Sequence, residues 1–239
     1  MRVLLAILAL SISSWGQMLQ AVATSKPPAS VTKTFSVSQQ CKGATTTTSM
    51  TCNFTNNPTA GHLVVMAIEG TLGTSPSYTN GASESYTLTP NAASQSGNFA
   101  RFGYILNASG ATNSKNTTIS WTGNHEASVW GYDIAVTNGP AVFDTDGGVN
   151  GDGPGTTINT PAITVAGAGE FMVAVTATGG AVSAPAADAT QGVWTGAHGG
   201  IDSTTGGMSE FLVNSGTGSI AVNYTSSNNS WYGGEAAFK

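Results

Sequence analysis

The sequence predicts an all-β protein, built as a single antiparallel β-sandwich or jelly-roll-like domain behind a signal peptide. Short apolar runs recur about every ten residues, separated by clusters of Gly, Asn, Pro and Ser, which is typical of sandwiches. No segment keeps an apolar period of about 3.6 residues over three helical turns. Only 8% of the residues are charged, so the surface is expected to be wetted by hydroxyls and amides rather than by ions.

The N-terminal residues predict export from the cell. Met1 and Arg2 give a positive start, residues 3–12 are apolar, and small residues follow up to Gly16. This is the pattern of a secretory signal peptide over residues 1–16, whereas a buried N-terminal helix is the alternative. Residues 17–30 read as an extended leader and residues 31–239 as the β-sandwich domain. The protein is therefore expected in the extracellular space or at the cell surface.

In the first half of the domain, most predicted strands alternate apolar and polar residues, so that one face is apolar. The segment 62–68 differs because it is apolar on both faces, which predicts a central strand. The segment 99–106 is long and aromatic, with Phe102 and Tyr104 on one side. The strands predicted for this half are 31–39, 46–54, 62–68, 86–88 and 99–106.

In the second half the same alternation continues. Residues 117–121 alternate, and residues 129–136 place Trp130 and Tyr132 on one face and Asp133 on the other. The β-branched and aromatic residues in these runs favour strands over helices. The strands predicted for this half are 117–121, 129–136, 163–165, 171–175, 211–213, 220–224 and 236–238.

The two cysteines, Cys41 and Cys52, are predicted to form a disulfide. Export places them in an oxidising compartment, and the segment 42–48 between them suits a hairpin turn. A disulfide that closes so short a loop stabilises a fold by about 2–3 kcal/mol. The alternatives are two free thiols or half of a metal site, but no His or Cys lies nearby in sequence to complete such a site.

The charge distribution excludes several classes of partner. Residues 116–238 contain ten carboxylates and no Lys or Arg. Removal of Arg2 with the signal peptide leaves six basic residues against twelve acidic ones. Nucleic acids and anionic membrane surfaces are poor partners for such a chain because both are bound through Lys and Arg. After the signal peptide no segment has the roughly 20 apolar residues that a membrane span needs.

Four short motifs carry a resemblance to a known group of proteins. They are Ala60-Gly61-His62-Leu63-Val64-Val65, Ser85-Tyr86-Thr87-Leu88, the acidic strand from Asp133 to the turn at Gly139, and Ala236-Ala237-Phe238-Lys239. In these motifs the chain resembles secreted bacterial β-sandwich domains of unassigned function. The resemblance covers residues 31–239 and implies export and a single sandwich domain, but no catalytic residues. The cysteine pair and the acid-rich segment after Asp144 depart from the pattern of the group.

A Gly-rich, acidic segment follows at residues 144–155. Carboxylates and an amide at alternate positions resemble the loops that wrap Ca²⁺ with oxygen ligands. A calcium loop usually has a bidentate Glu at its twelfth position, where this chain has Gly155. A solvated turn is the alternative, since Asp, Asn and Gly are common turn residues. The candidate calcium ligands are Asp144, Asp146, Asn150 and Asp152.

A second candidate site is aromatic. Trp194 lies in the loop-like sequence Gly-Val-Trp-Thr-Gly, where an exposed indole could stack against a sugar ring. The alternative is that these aromatic residues are packed, because tryptophan is usually well buried. Trp121 and Trp130 lie within strand patterns and are expected in the core. The candidate carbohydrate-binding residues are Trp194, His198, Trp231 and Tyr232.

Signatures of catalysis are weak. The chain has no Gly-x-Ser-x-Gly or His-Glu-x-x-His motif, and His62, at the start of an apolar strand, is expected to be structural. Asp133 and Glu235 lie in otherwise apolar strands and are expected to face solvent, the alternative being that their pKa values are raised. Glycoside hydrolysis requires two carboxylates about 5–10 Å apart across a cleft. The carboxylates that strands could bring together in this way are Asp133, Glu170, Glu210 and Glu235.

Three functions follow from these observations, in order of preference. The first is a secreted, non-catalytic component of a surface or matrix that adheres or assembles with itself, which the low charge and long uncharged strands favour. The second is a free-standing carbohydrate-binding module that binds neutral polysaccharide. The third is a secreted hydrolase.

Overall fold

The computed structural model describes most of the chain beyond residue 31. The residues it describes are 32–71, 76–91, 93–95, 98–122, 127–152, 157–160, 162–178, 182–183, 206–213, 215–221, 223–226 and 230–239. The backbone alone is described at 71, 93–95, 98, 149–152, 157–159, 177–178, 182–183, 206, 223–226 and 230–231. The predicted signal peptide and leader lie outside the described residues.

These residues fold as β-strands without a helix, and all the paired strands are antiparallel. The strands are β1 Phe35–Thr45, β2 Ser49–Asn53, β3 Leu63–Thr71, β4 Ser77–Asn80, β5 Thr87–Leu88, β6 Ala93–Gln95, β7 Asn98–Ile105, β8 Asn116–Ser120, β9 Ala127–Val136, β10 Phe143–Asp152, β11 Thr157–Asn159, β12 Ile163–Val165, β13 Phe171–Thr178, β14 Val182–Ser183, β15 Gly206–Val213, β16 Gly218–Ile220, β17 Asn223–Ser226 and β18 Ser230–Phe238.

Two large sheets form the centre of the fold. Sheet 1 has the order β1-β9-β3-β7-β5, with β6 also paired to β7, and sheet 2 has the order β10-β18-β13-β15. Their facing sides share one core, in which Trp130, Tyr132 and Phe102 of sheet 1 pack with Phe171 and Phe238 of sheet 2. Each of these side chains is fully buried, and burying an aromatic of this size stabilises the fold by about 2–3 kcal/mol. The predicted antiparallel β-sandwich is confirmed.

A third sheet covers the other side of sheet 1. Sheet 3 has the order β2-β8-β4, and its Ile119 and Tyr78 pack on Val64, Met66 and Ile68 of β3. Strand β3 is therefore buried on both faces, which confirms the central strand predicted from its continuous apolar sequence.

Sheet 2 is also covered on its outer side. Sheet 4, which pairs β12 with β16, places Ile163, Val165 and Ile220 against Met172 and Leu212 of sheet 2. Strands β11, β17 and β14 form a fifth sheet. Residues Thr32–Lys239 make up one compact unit. Among the described residues there is no helix long and apolar enough to cross a membrane.

The predicted disulfide between Cys41 and Cys52 is present, but the hairpin expected between them is wrong. Strand β1 pairs with β9 in sheet 1, and β2 pairs with β8 in sheet 3. The chain turns out of one sheet and enters the other, so the disulfide joins two packed layers. Met50 and Cys52 of β2 are packed in the core beside sheet 1, which places β2 over that sheet rather than next to β1 within it.

Candidate ligand-binding cleft

A cleft of about 400 Å³ opens beside sheet 1, where β1 and β9 lie next to the loop between β2 and β3. Its lining is polar and contains one acid, one histidine and several amides and hydroxyls. The lining residues are Ser38, Gln39, Thr55, Asn56, Asn57, Thr59, His62 and Asp133.

Asp133 is the buried centre of this cleft. It is only 1% exposed, and both of its carboxylate oxygens are hydrogen-bonded. Nδ1 of His62 lies 2.7 Å from Oδ1, and Nε2 of Gln39 donates to Oδ2 at 2.8 Å. The expectation that Asp133 faces solvent is therefore wrong, because two polar side chains replace the water that an exposed carboxylate would bind.

A β-bulge at Ser38 positions Gln39. Val37 is opposite Ile134 and Gln39 is opposite Asp133, so Ser38 is an extra residue in β1. Side chains alternate along a strand, and without the bulge Gln39 would point with Phe35 and Val37 toward the core. The extra residue turns Gln39 toward the cleft instead.

The loop after β2 is fixed by the same amide. Nε2 of Gln39 also donates to the backbone carbonyl of Asn56 at 2.9 Å, and the backbone N–H of Asn56 donates to Oε1 of Gln39 at 3.0 Å. Farther along, the N–H of Gly61 donates to the carbonyl of Ala108, and the N–H of Ala108 donates to the carbonyl of His62. The cleft wall is therefore tied to the sandwich at both ends.

This arrangement offers both acceptors and donors to a polar ligand. Because the Asp133 carboxylate accepts from Nδ1 of His62, Nε2 of a neutral ring is an acceptor. Amide side chains such as those of Asn56 and Asn57 provide donors and acceptors, and hydroxyls such as those of Ser38 and Thr59 provide both. A ligand rich in hydroxyl groups can match such a lining.

The described part of the predicted calcium segment, residues 144–152, belongs to strand β10 rather than to a turn or loop, because it pairs with β18. Asp146 accepts hydrogen bonds from the backbone and side-chain N–H groups of Asn91, at 2.8 and 2.9 Å. Burial raises the pKa of Asp146, although these hydrogen bonds oppose that shift.

Asp144 has a different environment from Asp146. Its carboxylate accepts hydrogen bonds from Nζ of Lys239 and from the N–H of Ala166. Burial by itself would raise the pKa of Asp144. The Lys239 ammonium and the other hydrogen bonds outweigh this effect, so the pKa of Asp144 is lowered.

The side chains of Asn150 and Asp152 lie outside the described part of the structure. Within that part, no group of three or more His, Cys, Asp or Glu side chains could hold a metal ion. The calcium site stays a prediction, but Lys239 already neutralises one of its proposed ligands.

The predicted aromatic site is described at one residue. Tyr232 is buried in the main core, and its hydroxyl donates to Oε2 of Glu69 at 3.1 Å. It is thus a core residue and presents no exposed ring, since β18 turns this side toward sheet 1. Trp194 and His198 lie outside the described residues, as does the side chain of Trp231, and their role in binding stays a prediction.

Two of the carboxylates considered for catalysis lie on the same face of sheet 2, on either side of β13. Glu210 of β15 and Glu235 of β18 are both opposite Ala174 of β13, so they share the outer face of sheet 2 at about 10 Å, which is two strand spacings. Both are fully buried, which corrects the solvent-facing position expected for Glu235. Burial raises the pKa of Glu210 to about 7. Asp133 belongs to sheet 1 and does not join this pair.

Comparisons with known proteins do not extend this picture. No protein-family model matches the chain, and no curated protein matches it either. The functional assignment therefore rests on the geometry of the site.

Sequence patterns indicate only part of this cleft. An aspartate in the apolar strand β9 and a histidine at the start of β3 are visible in the sequence. The roles of Gln39 and Asn56 are not, because they depend on the bulge at Ser38, which no local sequence motif marks.

Proposed function

We propose that the protein is an exported, non-catalytic binding protein that attaches to neutral polysaccharide through the cleft around Asp133. The observation that carries this proposal is the buried Asp133, oriented by His62 and Gln39 in a lining of amides and hydroxyls. Asp133 holds His62 and Gln39 in place, and the fixed amides and hydroxyls of the lining can then bind sugar hydroxyls with little loss of conformational entropy. Attachment to a polysaccharide surface would make the protein an adhesive component of a matrix or cell surface.

The distribution of charge supports a neutral partner. Most acidic side chains of the described residues are buried, so carboxylates contribute little to the surface of this part of the chain. Among the same residues, Val142 is the one large hydrophobic side chain that is exposed. The surface formed by the described residues is thus dominated by polar, uncharged groups. The buried acids are Glu69, Asp133, Asp146, Glu170, Glu210 and Glu235.

Export is supported by two independent features. The disulfide between Cys41 and Cys52 is typical of an oxidising compartment, and the first residues have the sequence of a signal peptide. Detection of the protein in the culture medium or on the cell surface, with Gln17 as the first residue, tests this part of the proposal.

Binding is tested by retention on insoluble neutral polysaccharides such as cellulose, xylan and chitin. The Gln39→Leu variant removes the amide that bridges Asp133 and Asn56 while keeping the side-chain size, and it should lose retention at least tenfold. Ser36→Ala, an exposed serine of the same strand outside the cleft lining, is the matched control and should bind like wild type. Equal retention of both variants, with their folds intact, would show that the cleft is not the binding site.

Hydrolysis is a second candidate function, favoured by the contact between His62 and Asp133. A carboxylate on Nδ1 orients a histidine so that Nε2 can take a proton from water or a hydroxyl. A screen of ester and glycoside substrates with wild type and His62→Gln tests it. Turnover that is lost in His62→Gln supports this function, and the absence of turnover leaves binding alone.

A further inference from the structure

The outer face of sheet 3 is a regular array of hydroxyl and amide side chains. Because directly opposed residues point to the same side of a sheet, the register of β2, β8 and β4 places these side chains in rows across the three strands. Those on β2 and β4 are exposed, and those on the central strand β8 are half-buried. The rows are Ser49–Ser120–Ser77, Thr51–Thr118–Thr79 and Asn53–Asn116.

The array repeats at two fixed distances. Neighbouring strands are about 4.8 Å apart, and alternate residues along a strand are about 6.8 Å apart. Within a row, Oγ1 of Thr51 and Oγ1 of Thr118 are hydrogen-bonded at 3.1 Å, and Oγ of Ser77 donates to the carbonyl of Ser120 at 3.3 Å. The side chains of the rows carry no charge, so the face presents an uncharged pattern of donors and acceptors.

The face is held rigidly from below. The inward residues Met50, Ile119 and Tyr78 pack in the second core, and Cys52 is bonded to Cys41 of sheet 1. A surface fixed in this way loses little conformational entropy when a ligand covers it.

The array continues into the cleft. Strand β2 ends at Asn53, and two residues later the exposed Thr55 lines the cleft. Asn57, another lining residue, accepts a hydrogen bond through Oδ1 from the N–H of Lys115, directly before β8. The end of sheet 3 and the cleft are thus parts of one continuous polar surface.

We propose that the ligand of the cleft is a linear, neutral polysaccharide, and that its chain extends from the cleft across the rows of sheet 3. This inference rests on the proposed function and adds a second binding surface and a requirement for chain length. A linear polysaccharide presents hydroxyl groups at regular intervals, which an ordered array of fixed hydroxyls and amides can bind by hydrogen bonds. The rows contain no charged side chain to pair with an ionic partner and no apolar side chain to pack against an apolar one.

The test compares short and long ligands. Affinities for a disaccharide and a hexasaccharide of the same neutral polymer (cello-, xylo- or chito-oligosaccharide) are measured by calorimetry for the full chain and its variants. Thr51→Val/Thr79→Val removes two exposed hydroxyls from the array and keeps the shape and β-propensity of the side chains. The matched control is Thr164→Val/Thr217→Val, which changes two exposed threonines, one within β12 of sheet 4 and one directly before β16.

We expect wild type to bind the hexasaccharide about tenfold more tightly than the disaccharide. Thr51→Val/Thr79→Val should lose this difference while keeping the affinity for the disaccharide, and the control pair should keep both. Affinity that does not depend on length, or an equal loss in both pairs, overturns the inference and leaves the cleft intact as a binding site. If no oligosaccharide binds at any length, the proposed function itself fails.

Self-association of the face is the remaining outcome. If wild type is a dimer in solution and Thr51→Val/Thr79→Val is a monomer with unchanged dependence on chain length, the array binds a second copy of the protein. That result also overturns the inference.

Discussion

At the residue scale, buried acids of this protein differ in what stabilises them. Asp133 is buried with both oxygens hydrogen-bonded, by His62 and Gln39. Glu210 is also buried, and there the loss of solvation raises the pKa from 4.5 to about 7. The first arrangement builds a binding site, whereas the second makes the stability of the fold depend on pH.

The Glu210→Gln variant should lose less stability than wild type as the pH rises to neutral. A carboxyl group with a raised pKa in the folded state binds more protons there than in the unfolded state, so its contribution to stability falls as pH rises from about 4.5 to 7. The variant cannot ionise, and its stability relative to wild type should rise by about 3 kcal/mol between pH 4 and pH 8. Urea unfolding at both values measures this difference.

Glu84→Gln is the control of opposite sign. Burial opposes the shift, but hydrogen bonds from Ser109 and Asn80 lower the pKa of Glu84. Its stabilising contribution is therefore present above the unfolded pKa and is lost as pH falls below it. Wild type should exceed Glu84→Gln in stability at pH 7 and approach it near pH 3. A Glu210→Gln variant with the same pH profile as wild type would contradict the assignment of Glu210.

At the element scale, the sandwich depends on where single strands turn between layers. The bulge at Ser38 sends Gln39 to the cleft, and Cys41 lies on the same side of β1, toward sheet 3. The extra residue at Ser38 thus determines the face of β1 on which Gln39 and Cys41 lie. The disulfide then fixes the edge of sheet 3 against sheet 1.

Replacing both cysteines by serine should weaken this connection. The bridge spans 11 positions of sequence, and loss of such a short closed loop destabilises a fold by about 2–3 kcal/mol. Urea unfolding of Cys41→Ser/Cys52→Ser against wild type measures the loss. Reducing agent should destabilise wild type and leave the double variant unchanged. If reducing agent also destabilises the double variant, its effect on wild type has a cause other than the disulfide.

Gly131→Val should destabilise the same layer. A Cβ at Gly131 would lie 2.5 Å from Sγ of Cys41, which the disulfide holds in place, and 2.8 Å from Sδ of Met66. Overpacking of this kind costs about 1–3 kcal/mol. Gly167→Ala is the control, because its Cβ would meet Oε1 of Glu170 at an ordinary 3.7 Å. In thermal unfolding, Gly131→Val should melt at a lower temperature than Gly167→Ala. Equal melting temperatures would contradict the close packing of β9.

The sequence predicts individual strands better than it predicts their partners. Alternation at residues 117–121 predicts β8 and its buried face, and the two-sided apolar run predicts the central position of β3. The segment from Asp144 is composed like a turn, yet it pairs with the glycines of β18. At Gly234 a side chain would meet the ring of Phe102 at 3.4 Å, so this complementarity is a property of the tertiary structure and has no local signal.

At the scale of the whole domain, a stack of sheets buries most of the acidic side chains that the structure describes and leaves the described surface mainly polar and uncharged. The net charge of −5 is thus a poor guide to this surface. Its proposed partner follows from the hydroxyls and amides that remain exposed, on the face of sheet 3 and in the cleft beside it.

Trypsin should cleave after Lys115 only when the protein unfolds. In the folded state, the N–H of Lys115 donates to Asn57, and its carbonyl accepts from the N–H of Phe54. The sequence from Asn116 to Phe238 contains no further site. A brief trypsin pulse in increasing urea, followed by mass spectrometry, should release the fragment 116–239 along the unfolding transition. Its release from the native protein would contradict a rigid junction between β2 and β8.

The most direct measurement of the central claim is a titration of the isotopically labelled protein with a neutral oligosaccharide, followed by nuclear magnetic resonance. We expect the side-chain amide signals of Gln39, Asn56 and Asn57 and the ring signals of His62 to shift together, in proportion to the bound fraction. Shifts confined to other parts of the chain, or no shift with any of the cello-, xylo- and chito-oligosaccharides, would contradict the assignment of the cleft as the binding site.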